Sequence, residues 1–170
     1  MPYSTILLEK DKGVATVTLN VPDKLNAFSP EMGVELMAAW EDVNRDPNVR
    51  VMVLTGAGRA FCVGANLNLF REAAEHRRRT GERLPVTSTW FLQNGPLFLS
   101  GMDKPTVCAI NGPAVGIGFT MAVACDLRVM ADTATTGAVF ARVGLVPEFG
   151  GSFFLPRLVG LAKALDLVLT

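Results

Sequence analysis

The chain is poor in the side chains from which metal and redox sites are built: 170 residues contain one histidine and three cysteines. Cys62, Cys108 and Cys125 lack the close pairing that zinc sites and dithiol motifs require. Their odd number and apolar surroundings fit a reduced, intracellular compartment, so a cytoplasmic location is expected. A charge excess is also missing. Sixteen basic and sixteen acidic residues cancel, leaving no strong field to attract nucleic acid or an anionic membrane surface. Apolar runs such as Met121 to Cys125 fall far short of the roughly 20 residues that cross a bilayer. The N-terminus reaches Glu9, Lys10, Asp11 and Lys12 with no secretion-type apolar stretch before them.

What is present is core-forming material. Hydrophobic residues make up 49% of the chain and charged residues 19%, enough to bury the core of one ordinary domain spanning residues 1–170. Val14 to Leu19 alternates with period two and predicts a strand, entered through Lys12-Gly13 and followed by a turn over Asn20 to Lys24. Ser29-Pro30-Glu31 predicts a capped helix start, Met32, Leu36, Trp40 and Val43 share one apolar face, and Asp46-Pro47 ends it. Val49 to Leu54 reads as a strand inside a sheet covered on both sides. A polar helical stretch carrying Glu72, Glu75 and Arg77 to Arg79 follows, then a helix from Thr89 to Ser100 interrupted at Gly95-Pro96. Further strands are predicted at Thr106 to Ile110 and Leu127 to Met130, with an apolar helix reaching Cys125 between them and another over Gly151 to Val159. Strands alternating with glycine turns and helices give an α/β class. The chain ends inside an apolar helix without a stop signal, which suggests an incomplete domain.

Two glycine clusters, each at the exit of an apolar strand, are where backbone N–H groups can face a ligand. Gly56-Ala57-Gly58 begins like a dinucleotide-binding fingerprint, but the third glycine position falls on Phe61, which weakens that reading. Gly112, Gly116 and Gly118 surround Ile117 at the start of a helix whose positive end suits a developing oxyanion; tight helix–strand packing is the plain alternative.

Taken together, GAGRAFCVGANL, KPTVCAINGPAVGIGFTMAVACDLRVMAD and the LNAF segment at Leu25 to Phe28 resemble the crotonase family, also called the enoyl-CoA hydratase/isomerase family, over Val14 to Gly160. The resemblance implies a spiral of ββα turns, with the C-terminal helical part of the family pattern missing here. It implies a thioester enolate held by the main-chain N–H groups of Ala65 and Ile117. Lys24, Leu25, Ala27, Ala65 and Leu67 are expected around coenzyme A, with Asn66, Gly116 and Ile117 in the same set. Coenzyme A enters only as part of an acyl-CoA thioester substrate, without a separate cofactor or metal, and a homo-oligomer, trimeric or hexameric, is implied. Asn66 stands where the family usually has aspartate.

The two glutamates of the family's hydratases fall on Thr120 and Phe140, neither of which is a general base at neutral pH. Glu148, in Pro147-Glu148-Phe149-Gly150-Gly151, resembles the proton carrier of the family's Δ3,Δ2-enoyl-CoA isomerases, so isomerisation is expected ahead of enoyl-CoA hydration. A solvent-facing turn glutamate, and a non-catalytic acyl-CoA-binding or assembly subunit, are the competing readings. His76 reads as a solvated surface residue ahead of a catalytic one, and the arginines at 77 to 79 and 83 as an exposed charged face, with attraction of the coenzyme's phosphates a weaker alternative. Asp126 reads as a structural hydrogen-bond acceptor, Met32, Met37 and Met121 as core, and Leu84 to Met102 as acyl-pocket lining.

Overall fold

A computed structural model describes residues 3–82 and 88–170, with side chains described throughout except at 67–70, 73, 88 and 89. Among these residues there are seven strands and six helices. The first two strands, β1 (Ile6–Asp11) and β2 (Val14–Leu19), pair antiparallel in register from Ile6–Leu19 to Asp11–Val14. Lys12 and Gly13, at φ 47° and 85°, form the two-residue turn, whose positive φ angles match the twist of the flanking strands. The sequence reading found β2 but not β1, because the charged run at Glu9 to Lys12 hides an edge strand whose outer face is solvated.

Beyond the hairpin the sheet is parallel. β2, β3 (Val51–Gly56), β4 (Thr106–Ile110) and β6 (Leu127–Met130) lie side by side, giving the order β1-β2-β3-β4-β6. β3 begins two residues later than expected, since the Arg50 and Val51 amides both close onto Gly13 O. Its residues alternate between buried and half-buried, so only one face is fully covered. A second layer consists of β5 (Ala114–Val115) and β7 (Thr136–Gly137), paired parallel, with single bridges joining Cys62 to Ala114 and Phe28 to Ala65. These strands are too short to leave a periodic pattern. The chain therefore winds as successive turns, each placing a strand in the large sheet, a short extended piece in the second layer and then a helix, as the ββα spiral requires.

Helix α1 (Pro30–Arg45) starts as its sequence dictates: the Ser29 hydroxyl accepts a hydrogen bond from the Met32 amide at 3.2 Å and Pro30 occupies the first turn. Met32, Leu36, Trp40 and Val43 are fully buried in the core. Helix α2 (Leu67–Thr80) follows the first glycine cluster, and α3 (Ser88–Ser100) runs through Gly95-Pro96 without a break. Pro96 removes one helical hydrogen bond, but Phe91 and Leu99, buried on either side of it, keep both halves packed. Helices α4 (Ile117–Ala124), α5 (Gly151–Val159) and α6 (Leu161–Leu169) follow. Met37 and Met121 are core, and Asp126 accepts from the Thr106 amide at 2.7 Å and its hydroxyl at 2.8 Å, tying β4 to β6. Among the described residues no helix is long and apolar enough to cross a membrane.

Candidate active site

The site grows from three loops that leave the same edge of the parallel sheet. The first, after β2, turns left-handed at Leu25 and Asn26, with φ 52° and 53°. Asparagine tolerates this conformation better than most residues, and here its side chain also staples the loop. Asn26 is fully buried; its Oδ1 accepts from the Val21 amide at 2.9 Å, while Nδ2 donates to Ala57 O and Ala60 O, both at 2.9 Å. The second loop leaves β3 and the third leaves β4, where Asn111 repeats the device. Asn111 Oδ1 accepts from Gly56 N at 3.2 Å and its Nδ2 donates to Gly58 O at 3.0 Å and Ala60 O at 3.4 Å. The Ala60 carbonyl is thus the common anchor of all three loops. Neither asparagine was identified from the sequence as a site-building residue, although both lie in the quoted motifs.

The stapled loops bring the two glycine clusters into contact. Val115 N donates to Cys62 O at 2.9 Å, and a β-carbon on Gly118 would lie 2.2 Å from that same carbonyl, so no larger residue fits. A β-carbon on Gly116 would lie 3.7 Å from Gly64 Cα, placing the residues before Ala65 and Ile117 side by side.

Each of those two residues carries an open N–H. Phe28 N donates to Gly64 O at 2.8 Å and Asn66 N donates to Phe28 O at 3.0 Å. In extended backbone successive peptide groups face opposite ways, so the Ala65 N–H faces away from Phe28, and it finds no acceptor among the described residues. Gly116 N is taken by Gly137 O at 3.0 Å, whereas Ile117, first residue of α4, has no acceptor for its own N–H among those residues. A helix N-terminus adds positive potential there. Ile117 itself is buried, its side chain in the core.

Glu148 lies in the turn leading to α5, where its carbonyl accepts from Gly151 N at 2.9 Å. It is half-buried, contrary to a fully solvent-facing turn, and burial raises its carboxyl above the ordinary glutamate range. No hydrogen bond or ion pair to that carboxylate is formed among the described residues. Thr120 joins this turn to α4: its hydroxyl donates to Ile117 O at 3.2 Å, and its methyl lies 2.6 Å from where a β-carbon on Gly151 would stand. Phe140 is buried and its carbonyl accepts from Leu145 N at 2.9 Å, closing the loop ahead of Glu148. Thr120 and Phe140, the positions onto which the resemblance maps the hydratase glutamates, are therefore packing groups in this structure.

The remaining sequence-derived residues are distributed around the first loop. Lys24 is exposed, while Leu25, Ala27 and Asn66 are half-buried. The Leu67 side chain, Arg83 and the 84–87 part of the expected acyl-pocket lining lie outside the described residues. His76 is half-buried on α2 and Arg77 to Arg79 are exposed. All three cysteines are free and buried. Burial pushes the Cys62 thiol up to about 11, and Cys108 is raised by its hydrogen bond to the Cys125 thiol and by burial.

Comparisons with known proteins bear on the family and the fold. The family description "Enoyl-CoA hydratase/isomerase" matches residues 9–170. The chain is 39% identical over 166 residues to the 1,2-epoxyphenylacetyl-CoA isomerase of Escherichia coli K12, covering 96% of this chain and 62% of that protein. It is 36% identical over 168 residues to the (E)-benzylidenesuccinyl-CoA hydratase of Thauera aromatica, covering 97% of this chain and 62% of that one. The crystal structure of an enoyl-CoA hydratase from Bacillus anthracis superimposes with a TM-score of 0.86 at 30% identity, covering 97% of this chain and 62% of the other. The chain thus spans under two thirds of the length of these relatives.

Proposed function

Because the chain belongs to the enoyl-CoA hydratase/isomerase family, we propose that it carries the site of an acyl-CoA enzyme that moves a double bond along a 3-enoyl-CoA to give the 2-enoyl-CoA. In this reading the thioester oxygen accepts hydrogen bonds from the N–H groups of Ala65 and Ile117. Glu148 takes a proton from C2, the negative charge of the resulting dienolate rests on that oxygen, and the same carboxyl returns the proton to C4. Preorganised donors aimed at the developing charge are worth several kcal/mol of barrier, on the order of 3 for one donor. Lys24, Leu25, Ala27, Asn66 and Leu67 surround the coenzyme A portion, and Gly116 supplies the close approach beside Ile117. Self-association as a homo-oligomer, trimeric or hexameric, and a cytoplasmic location belong to the same proposal; the exposed apolar residues Leu127, Val129 and Leu161 support the first, and the sedimenting mass reads it.

The observation that carries this reading is the half-buried carboxyl of Glu148, without a hydrogen-bond or ion-pair partner among the described residues, in a turn that packs through Gly151 and Thr120 onto the helix that starts at Ile117. One carboxyl suffices for a 1,3-proton shift, whereas hydration gains from two with divided roles. Hydration is the second reading, favoured by the Thauera relative named as a hydratase; water would then be activated by Glu148 alone. Supplying 3-enoyl-CoA and trans-2-enoyl-CoA separately distinguishes the two by which is consumed. Glu148→Gln is expected to lower isomerase kcat by roughly 10² to 10⁴ while acyl-CoA affinity stays near the parent value. Unchanged turnover in that variant removes Glu148 from the reaction.

A further inference from the structure

The residue after Glu148 has an unusual backbone for its type. Phe149 adopts φ 51° and Gly150 follows at φ 69°, so two consecutive left-handed residues turn the chain. Such a conformation is natural for glycine but an outlier for a bulky aromatic, and it persists only where the surroundings over-determine it. The surroundings here are specific. Phe149 is 1% exposed, and its ring lies 5.1 Å from Phe91 and 6.4 Å from Trp40, centroid to centroid. A β-carbon on Gly95 would come within 2.6 Å of Phe149 Cε2, so the ring occupies the notch that this glycine leaves in α3. A β-carbon on Gly150 would lie 3.2 Å from Pro96 Cβ, which places the turn over the neighbouring residue as well. The Gly95-Pro96 pair, which does not interrupt α3, is thus the seat of the Glu148 turn.

The packing extends further. Phe91 stacks on Phe28 at 5.2 Å and 23°, and the Phe28 backbone makes the two hydrogen bonds that flank Ala65. A continuous line of rings joins the segment carrying one open amide to the turn carrying the carboxyl. Side chains confined by close packing transmit displacement, because such an interior has little free space to absorb it.

We propose that Phe149 is a positioning residue for Glu148: its ring, lodged in the Gly95 notch against Phe91, fixes where the carboxyl stands relative to the Ala65 and Ile117 amides. The proposal rests on Glu148 being the proton carrier. It requires that disturbing the notch change turnover and the ionisation of Glu148 more than substrate binding.

The test uses the 170-residue chain with 3-enoyl-CoA. Gly95→Ala fills the notch with the residue best suited to a helix. The expected result is a kcat about 10- to 100-fold lower, a KM close to the parent value, and an acid limb of the kcat–pH profile moved toward the ordinary glutamate pKa as the displaced carboxyl gains water. Phe149→Leu, which empties part of the notch without adding bulk, should show the same pattern, and combining it with Gly95→Ala should recover part of the lost kcat. Parent kcat and parent acid limb in Gly95→Ala, or in Phe149→Leu should the alanine variant not fold, overturn the positioning role. So does a loss in which KM rises while the acid limb stays in place. Glu148→Gln run alongside separates the two ideas: if it is inactive and the notch variants behave like the parent, only the positioning role falls. If it is active, the underlying reading falls and takes the positioning role with it.

Discussion

Glu148 has a thermodynamic signature that can be read without any substrate. Burial disfavours its ionised form, so between the ordinary glutamate pKa of about 4.3 and its raised value the folded chain holds a proton that the unfolded chain has released. Its contribution to stability is fully present below the unfolded pKa and declines as pH rises through the folded one. Glu148→Gln removes that decline. Urea unfolding at a series of pH values should therefore show a shallower loss of stability in the variant across this window, and parallel curves would contradict the burial. The family resemblance singled out Glu148 as a candidate by its neighbours in a Pro-Glu-x-Gly-Gly run, and Ala65 and Ile117 by theirs. The sequence said nothing of Phe149, because a left-handed backbone is expected at glycine and asparagine rather than at an aromatic residue, and because the notch that receives the ring is 54 positions earlier.

At the scale of elements, the loops matter more than the strands they leave. Asn26 makes three side-chain hydrogen bonds in a buried setting, bridging the loop after β2 to the loop after β3. Asn26→Ala strands the Val21 amide and the Ala57 carbonyl and deprives Ala60 of its shorter contact. Since each net hydrogen bond is worth about 1 kcal/mol and each stranded buried group costs more, a loss on the order of 3 kcal/mol in denaturant unfolding is expected; a loss below about 1 kcal/mol would show that the loops hold without the staple. Most elements were legible where periodicity is long or a cap is present: α1 from Ser29-Pro30, β4 and β6 to the residue, α5 from Gly151. The missed pieces have physical reasons. β1 is a solvated edge strand, β5 and β7 are two residues each, and α3 survives a proline because tertiary packing outweighs the one hydrogen bond lost.

On the scale of the molecule, one buried cluster joins the sheet, α1, α3 and α4 to the Glu148 turn, and a smaller one of Val123, Leu155 and Ala164 seats α5 and α6. Cys62 comes from the first glycine loop, Cys108 from β4 and Cys125 from the end of α4, and all three belong to the same buried cluster that contains Trp40, Met52 and Phe149. A thiol-specific disulfide reagent should label none of them rapidly in the native protein, since all three are buried and the raised Cys62 and Cys108 thiols offer little thiolate. All three should then react together as denaturant opens the core; a single thiol reacting early would reveal a part that opens by itself. The rhythm of strand, glycine turn and helix was visible in the sequence and the spiral followed from the family resemblance, but the contact between successive turns was legible in neither. It depends on close approaches, such as Gly118 against Cys62 O, that bring residues 56 positions apart within reach.

The Asn111 staple also bears on how the protein ages. An asparagine followed by glycine is the dipeptide most prone to spontaneous loss of ammonia, because an unhindered downstream nitrogen can attack the side-chain carbonyl once the amide rotates toward it. Asn111-Gly112 is such a pair, yet its amide is fixed at both ends, to Gly56 N on one side and to Gly58 O and Ala60 O on the other. Folding thus shelters a chemically fragile bond, and the shelter lasts only while the loops stay joined. Were the amide converted to an acid, the donor shared by two carbonyls would become a negative oxygen facing them, and the damage would separate the same loops that hold the two amides in place.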